Sequence, residues 1–173
     1  DRLVTGVQTC ALPICLTMIA AIKEAGVEHV VYSSVASADK ATGIPHFDSK
    51  YEVEKVLMDS GLNYTIVAPV YFMENLLFPQ TKEGIWNGTV AMAMPESTPL
   101  QQIAVSNIGE FVAPSSSGGD AVYGQRYDIA GDELNGAELT SLVAGATQKD
   151  QSYMALSPEV FRSFGDDMVI MFE

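Results

Sequence analysis

Apolar positions along this chain fall into two kinds of run. Short, continuous, β-branched stretches alternate with longer ones in which apolar residues recur every three or four positions. Residues 28–34 and 62–68 are of the first kind and predict buried strands, the second closed by Pro69. Residues 16–25 predict a short buried helix stopped by Gly26, and residues 47–60 a longer one stopped by Gly61. Strand, helix and strand within about forty residues make a parallel βαβ unit, the building block of a doubly wound α/β sheet.

The second half is more mixed. Short strands are expected at 89–94 and 100–105, then a helix capped by Ser106 and running to Ala113. Residues 114–119 read as a surface loop and 126–129 as a further strand. Asn135, with Glu138 three residues on, is the capping-box start of a helix to Thr147. Ser157 followed by Pro158 opens a C-terminal helix.

Composition narrows the function. The chain has 173 residues, 47% of them hydrophobic, enough to bury a real core. A net charge of −13 argues against direct nucleic-acid binding, which needs basic surface to displace phosphate counterions. No apolar run is long enough to predict a membrane span. Cys10 and Cys15 are the only cysteines, so the rest of the chain offers no disulfide framework or cysteine metal site. A reducing, cytoplasmic compartment is the default expectation.

Residues 1–15 stand apart. They lack the basic start and unbroken apolar stretch of a signal peptide. Residues 3–6 imitate the end of a first Rossmann strand, but the glycines that should follow are replaced by Val7, Gln8, Thr9 and Cys10. Residues 4–14 resemble the peptide obtained by translating sequencing-adapter DNA. On that reading residues 1–15 are a non-native leader and the biological chain starts near Leu16; the rival reading is a natural first strand.

Candidate chemistry concentrates in the helix after the first strand. Two pairs with the same four-residue spacing compete there, His46 with Lys50 and Tyr51 with Lys55. The second fits the Tyr-x-x-x-Lys pair of short-chain dehydrogenases. Each pair shares one helical face, and both cannot face one site. With His46 at 0°, Val53, Val56 and Leu57 fall at about 340°, 280° and 20°, so the sheet-facing stripe centres at about 330°. His46 and Lys50 lie at the edge of that stripe, whereas Tyr51 and Lys55, at about 140° and 180°, point away. The Tyr-x-x-x-Lys match is thus read as accidental.

Three ordered segments carry a resemblance: HVVYSSVAS at 29–37, GIPHFDSK at 43–50 and APVYFMENL at 68–76. Together they resemble the NmrA-like family, atypical short-chain dehydrogenase relatives whose Rossmann domain binds NADP(H) or NAD(H). PLQQIAV at 99–105, SNIG at 106–109 and DIAGDEL at 128–134 continue the likeness to the C-terminus. It implies an α/β fold: the C-terminal part of a doubly wound Rossmann-type parallel sheet over residues 16–173, with a smaller α/β substrate-side region at 71–105 and 132–173.

By the same resemblance, Lys50 matches the lysine that reaches the cofactor ribose and nicotinamide. Tyr71, Phe72, Glu74 and Asn75 match the segment that packs beside the nicotinamide, and Ser33 and Ser34 sit where the family's strand ends against the cofactor. His46 stands where the wider superfamily has its catalytic tyrosine, and an imidazole can donate a proton near neutrality. The chain departs from the family pattern in having no glycine-rich phosphate loop after a strand and no ribose selector. Binding by this chain is accordingly doubtful, although NADP is the cofactor slightly preferred by the resemblance. Two function classes follow. One is an oxidoreductase acting on a small quinone or carbonyl substrate, with His46 and Lys50 as its catalytic pair. The other is a redox sensor that binds a partner protein without turnover; neither class calls for a metal, a membrane or nucleic acid.

Overall fold

The computed structural model describes residues 7–117, 119–164 and 169–171. In chain order the elements begin with α1 (Val7–Glu24), β1 (Val30–Ser33), α2 (Pro45–Asp59), β2 (Tyr64–Pro69) and β3 (Tyr71–Phe72). Next come α3 (Pro79–Trp86), β4 (Thr89–Met92), β5 (Leu100–Ile103) and α4 (Val105–Ser117). The last are β6 (Gln125–Ile129), β7 (Asp132–Leu134), α5 (Gly136–Thr147) and β8 (Ser152–Ala155). They divide into two compact units, Asp1–Val70 with Ser106–Ile129, and Tyr71–Val105 with Ala130–Glu173. Among the described residues no helix is long and apolar enough to cross a membrane.

The first unit is a parallel sheet in the order β1-β2-β6. Its register sets Tyr32 beside Ile66, and Ile66 beside Arg126. Central β2 is covered on both faces, as its continuous apolar sequence requires of a parallel strand, and its residues from Thr65 to Pro69 are all buried. Ile66 packs with Ile19 of α1 and with Val53 and Leu57 of α2. Burying a side chain of the size of Leu57 or Ile66 stabilises the fold by about 1.5–3 kcal/mol. On the opposite face, Val67, Phe111, Pro114, Val122, Tyr127 and Ile129 line an apolar cavity of 230 Å³.

Several boundaries differ from the sequence-based expectation. Helix α1 starts at Val7 rather than Leu16 and runs through Pro13, which removes one helical hydrogen bond. Its extra turns come from residues set aside as a leader, whose Ala11, Leu12 and Ile14 are compatible with a helix. The strand imitation at residues 3–6 lies outside the described residues. At the other end, Ser157-Pro158 opens a short 3₁₀ helix, Pro158–Phe164, rather than an α-helix.

In the second unit, β5 pairs with β3 in parallel and with β7 antiparallel, while β4 and β8 form a separate parallel pair. Val90, Met92 and Leu139 form its core, with Tyr71, Leu134 and Tyr153 packed around them. The capping box of α5 forms as expected: Glu138 N–H donates to Asn135 Oδ1 at 3.0 Å, and Asn135 N–H donates to Glu138 Oε2 at 2.9 Å. Gly136, just after that cap, faces the Tyr153 ring so closely that a Cβ there would sit 2.4 Å from Cε2. The ring cannot swing away freely, because Tyr153 Oη donates to the Met94 carbonyl at 2.8 Å. Gly136→Ala is therefore expected to destabilise the chain by about 1–3 kcal/mol in urea unfolding, the scale of an overpacked core. Adding Tyr153→Ala should return the stability cost of the alanine at 136 to near zero in a double-mutant cycle.

Candidate functional site

Helix α2 leaves the carboxyl end of β1 after a constrained loop. Ser37 and Ala41 hold left-handed φ values of 62° and 52°, a cost of about 1–3 kcal/mol each for residues with a Cβ. Between them the 3₁₀ turn Ala38–Lys40 presents Asp39. The loop is pinned at its root, where Ala36 N–H donates to the Pro69 carbonyl at 3.0 Å.

Behind the loop lies a buried polar network. Glu54 of α2 is completely buried, and its carboxylate accepts from Ser34 Oγ. The same carboxylate accepts from Arg126 Nε at 2.9 Å. Arg126 also donates through Nη2 to the Val35 carbonyl at 3.1 Å and through Nη1 to Asp128, with Asp39 at 3.7 Å. One guanidinium thus ties together the end of β1, the strained loop, α2 and β6. Burial works against its charge, but the hydrogen bond to Glu54 and the charges of Glu54 and Asp128 outweigh that, holding its pKa above the ordinary value. Burial, then the proximity of Cys15 and Glu54, also pushes the neighbouring Tyr32 phenol above its usual range.

Glu54 and Val56 correct the helical wheel. Val56, assigned to the sheet-facing stripe, is 40% exposed, and Glu54 takes the buried place instead. The buried stripe therefore centres at about 30° rather than 330°, through Val53, Leu57 and Glu54. Lys50 falls within this shifted stripe, one turn before Glu54, and is partly buried. Glu54 reaches Ser34 at the end of β1, and Lys50 lies one turn, about 6 Å, nearer the start of α2. Among the described residues its ammonium has no hydrogen bond or ion pair.

The competing pair sits elsewhere. Lys55 is exposed, bonded to Glu52 at 2.5 Å and set 5.4 Å over the Tyr51 ring. His46 is partly buried in the first turn of α2, its ring edge-on to Phe47 at 4.7 Å. Ser33 ends β1 with its side chain exposed, while Ser34 is buried.

In the second unit, burial raises the pKa of Tyr71, and its hydrogen bond with Asn75 opposes that rise. Phe72 is exposed. Glu74 serves the fold directly, because both its carboxylate oxygens accept from Val105 N–H, at 3.1 and 3.0 Å. It therefore caps α4, the role the sequence reading gave to Ser106. Arg126, Glu54, Asp39 and Asp128 were not singled out from sequence. The available signal was a basic residue alternating with apolar ones inside a strand, which marks a charge that must find a partner.

Comparison with known proteins agrees with this architecture. A model of the NmrA-like family matches residues 4–173. A photosystem II assembly factor, Ycf39, of Synechocystis is 28% identical over 122 residues, covering 70% of this chain and 37% of that protein. A nucleoside-diphosphate-sugar epimerase of Staphylococcus aureus superposes with a TM-score of 0.82 at 18% identity, covering 98% of this chain and 62% of its own. An NADPH-dependent quinone oxidoreductase of Escherichia coli, complexed with NADPH, gives 0.78 at 23% identity, covering 99% and 62%. NmrA, a negative transcriptional regulator in complex with NADP, gives 0.77 at 19% identity, covering 93% and 56%. At these identities the structural likenesses establish the fold, and the chain spans less than two thirds of the length of each of these proteins.

Arg126 generates a direct test of the network. Arg126→Met leaves Glu54 buried without its cation and is expected to cost about 3–5 kcal/mol in urea unfolding. Replacing Glu54 by Leu in the same chain should recover most of that loss, since an apolar pair needs no counter-charge. An Arg126→Met chain as stable as the unaltered one would show that the ion pair does not hold the loop.

Proposed function

The chain belongs to the NmrA-like family, and from that premise we propose that its protein binds a nicotinamide dinucleotide and uses it to reduce a small quinone or carbonyl compound. What supports this reading is Lys50: a partly buried lysine, without a hydrogen-bond or ion-pair partner among the described residues, on the helix that leaves the carboxyl end of a parallel strand. Open α/β sheets bind their ligands there, and a cation without a partner suits a ribose hydroxyl or a nearby anionic group.

In the first unit, the chemistry of Lys50, Ser33 and Ser34 suits the hydroxyls of the cofactor ribose. Lys50 would hold the ribose, Ser33 and Ser34 would border it, and Tyr71, Phe72, Glu74 and Asn75 follow as cofactor contacts from the family resemblance. The sequence contains no Gly-x-x-Gly-x-x-Gly loop for the pyrophosphate. When bound, the nicotinamide supplies hydride chemistry. His46 would supply the proton that a reduced carbonyl or quinone oxygen needs. Neighbouring proteins bind NADP or NAD, so both are candidate cofactors here.

One comparison favours a second reading. A negative transcriptional regulator with this fold also binds NADP, and a net charge of −13 suits a protein partner better than DNA. On that reading cofactor occupancy alters affinity for the partner and there is no turnover.

Two measurements on the natural gene product, with any residues that flank this chain, test the proposal. In calorimetric titration, Lys50→Ala should weaken NADP(H) or NAD(H) binding by about 1.5–3 kcal/mol, the scale of a hydrogen bond to a charged group. Tyr51→Phe and Lys55→Ala should leave it unchanged, and unimpaired binding by Lys50→Ala removes the lysine from the site. An oxidoreductase should also consume NADPH steadily with quinones or small carbonyls, and His46→Ala should slow the chemical step about 10²–10⁴-fold. Negligible turnover, with cofactor shifting thermal stability or partner pull-down, selects the sensor.

A further inference from the structure

Ser34 is more than nine-tenths buried, and it sits at the end of β1. A serine hydroxyl has one hydrogen to give and two lone pairs to receive with. Its hydrogen has one destination here, the carboxylate of Glu54. Glu54 faces an always-protonated guanidinium at 2.9 Å, so its oxygens act as acceptors and cannot return a hydrogen to the serine. Arg126 is itself fixed by Val35, Asp39 and Asp128. Among the described residues no group donates to Ser34 Oγ, so its lone pairs are unused although the side chain is buried.

This polarity has a chemical consequence. A strand-end serine whose hydrogen was free could donate to a carbonyl oxygen. Ser34 cannot, because the hydrogen is committed inward, and its bond to a carboxylate makes Oγ a stronger acceptor.

We propose that Glu54 and Arg126 are positioning residues that fix Ser34 as a hydrogen-bond acceptor, so that it recognises an N–H donor on the ligand, which in a nicotinamide dinucleotide is the carboxamide. The proposal rests on the cofactor reading above and adds to it which group Ser34 selects.

The test compares NADP or NAD with the matching 3-acetylpyridine dinucleotide, in which a methyl group replaces the amide nitrogen. Both are titrated by calorimetry into the natural gene product and two variants. The unaltered protein should bind the carboxamide form about tenfold more tightly, the upper range of one hydrogen bond. Ser34→Ala removes the acceptor and should bind the two forms alike. Glu54→Gln should also bind them alike for a different reason. Its amide N–H donates to Ser34 while its carbonyl stays with Arg126, and the serine hydrogen is turned outward. Discrimination that is absent in the unaltered protein, or that survives in either of these variants, overturns the proposal. If neither dinucleotide binds at all, the cofactor reading itself fails and takes the proposal with it.

Discussion

The Glu54–Arg126 pair is the constraint on which the first unit depends. A carboxylate with no exposure is tolerable only when a cation and further donors satisfy it, and Arg126 Nε and Ser34 Oγ supply both. In doing so the guanidinium fixes four segments at once: the end of β1, the loop carrying Asp39, the middle of α2 and strand β6. The left-handed residues Ser37 and Ala41 persist because that loop is over-determined from both sides. A pair of apolar residues would fill the same volume, yet it would leave the loop and Ser34 without a fixed geometry. The ion pair is thus better understood as a device for orientation than for stability.

Apolar pattern alone was enough to find the βαβ core. Strands β1 and β2 are short runs rich in β-branched residues, α2 stops before Gly61 as expected but begins at Pro45, two residues ahead of the expected Phe47, and α5 begins on the Asn135–Glu138 box. Strands β3, β7 and β8 escaped because they are two to four residues long and exist through pairing with distant strands. The start of α4 was misassigned for a similar reason: its cap comes from Glu74, 31 residues earlier, and not from the adjacent serine.

The candidate site was partly legible. Lys50 emerged from a family resemblance and from its place on the helix. The wheel nevertheless centred its stripe on the wrong side, because a wheel built on apolar residues counts a glutamate as a solvent-facing position. No local rule marks Glu54 as buried, since its partner is 72 residues away on another strand. Only the folded sheet, with Arg126 in register beside Ile66, brings the two charges together.

Lys50 carries an implication for how such a chain would evolve or be engineered. Lys50 is partly buried and, among the described residues, meets no counter-ion, so whatever hydration it loses on folding is not repaid by an ion pair. Methionine has nearly the same shape without that penalty. Selection for heat resistance alone would consequently have no reason to keep this lysine. A lysine that persists at this position is maintained against the preference of the fold.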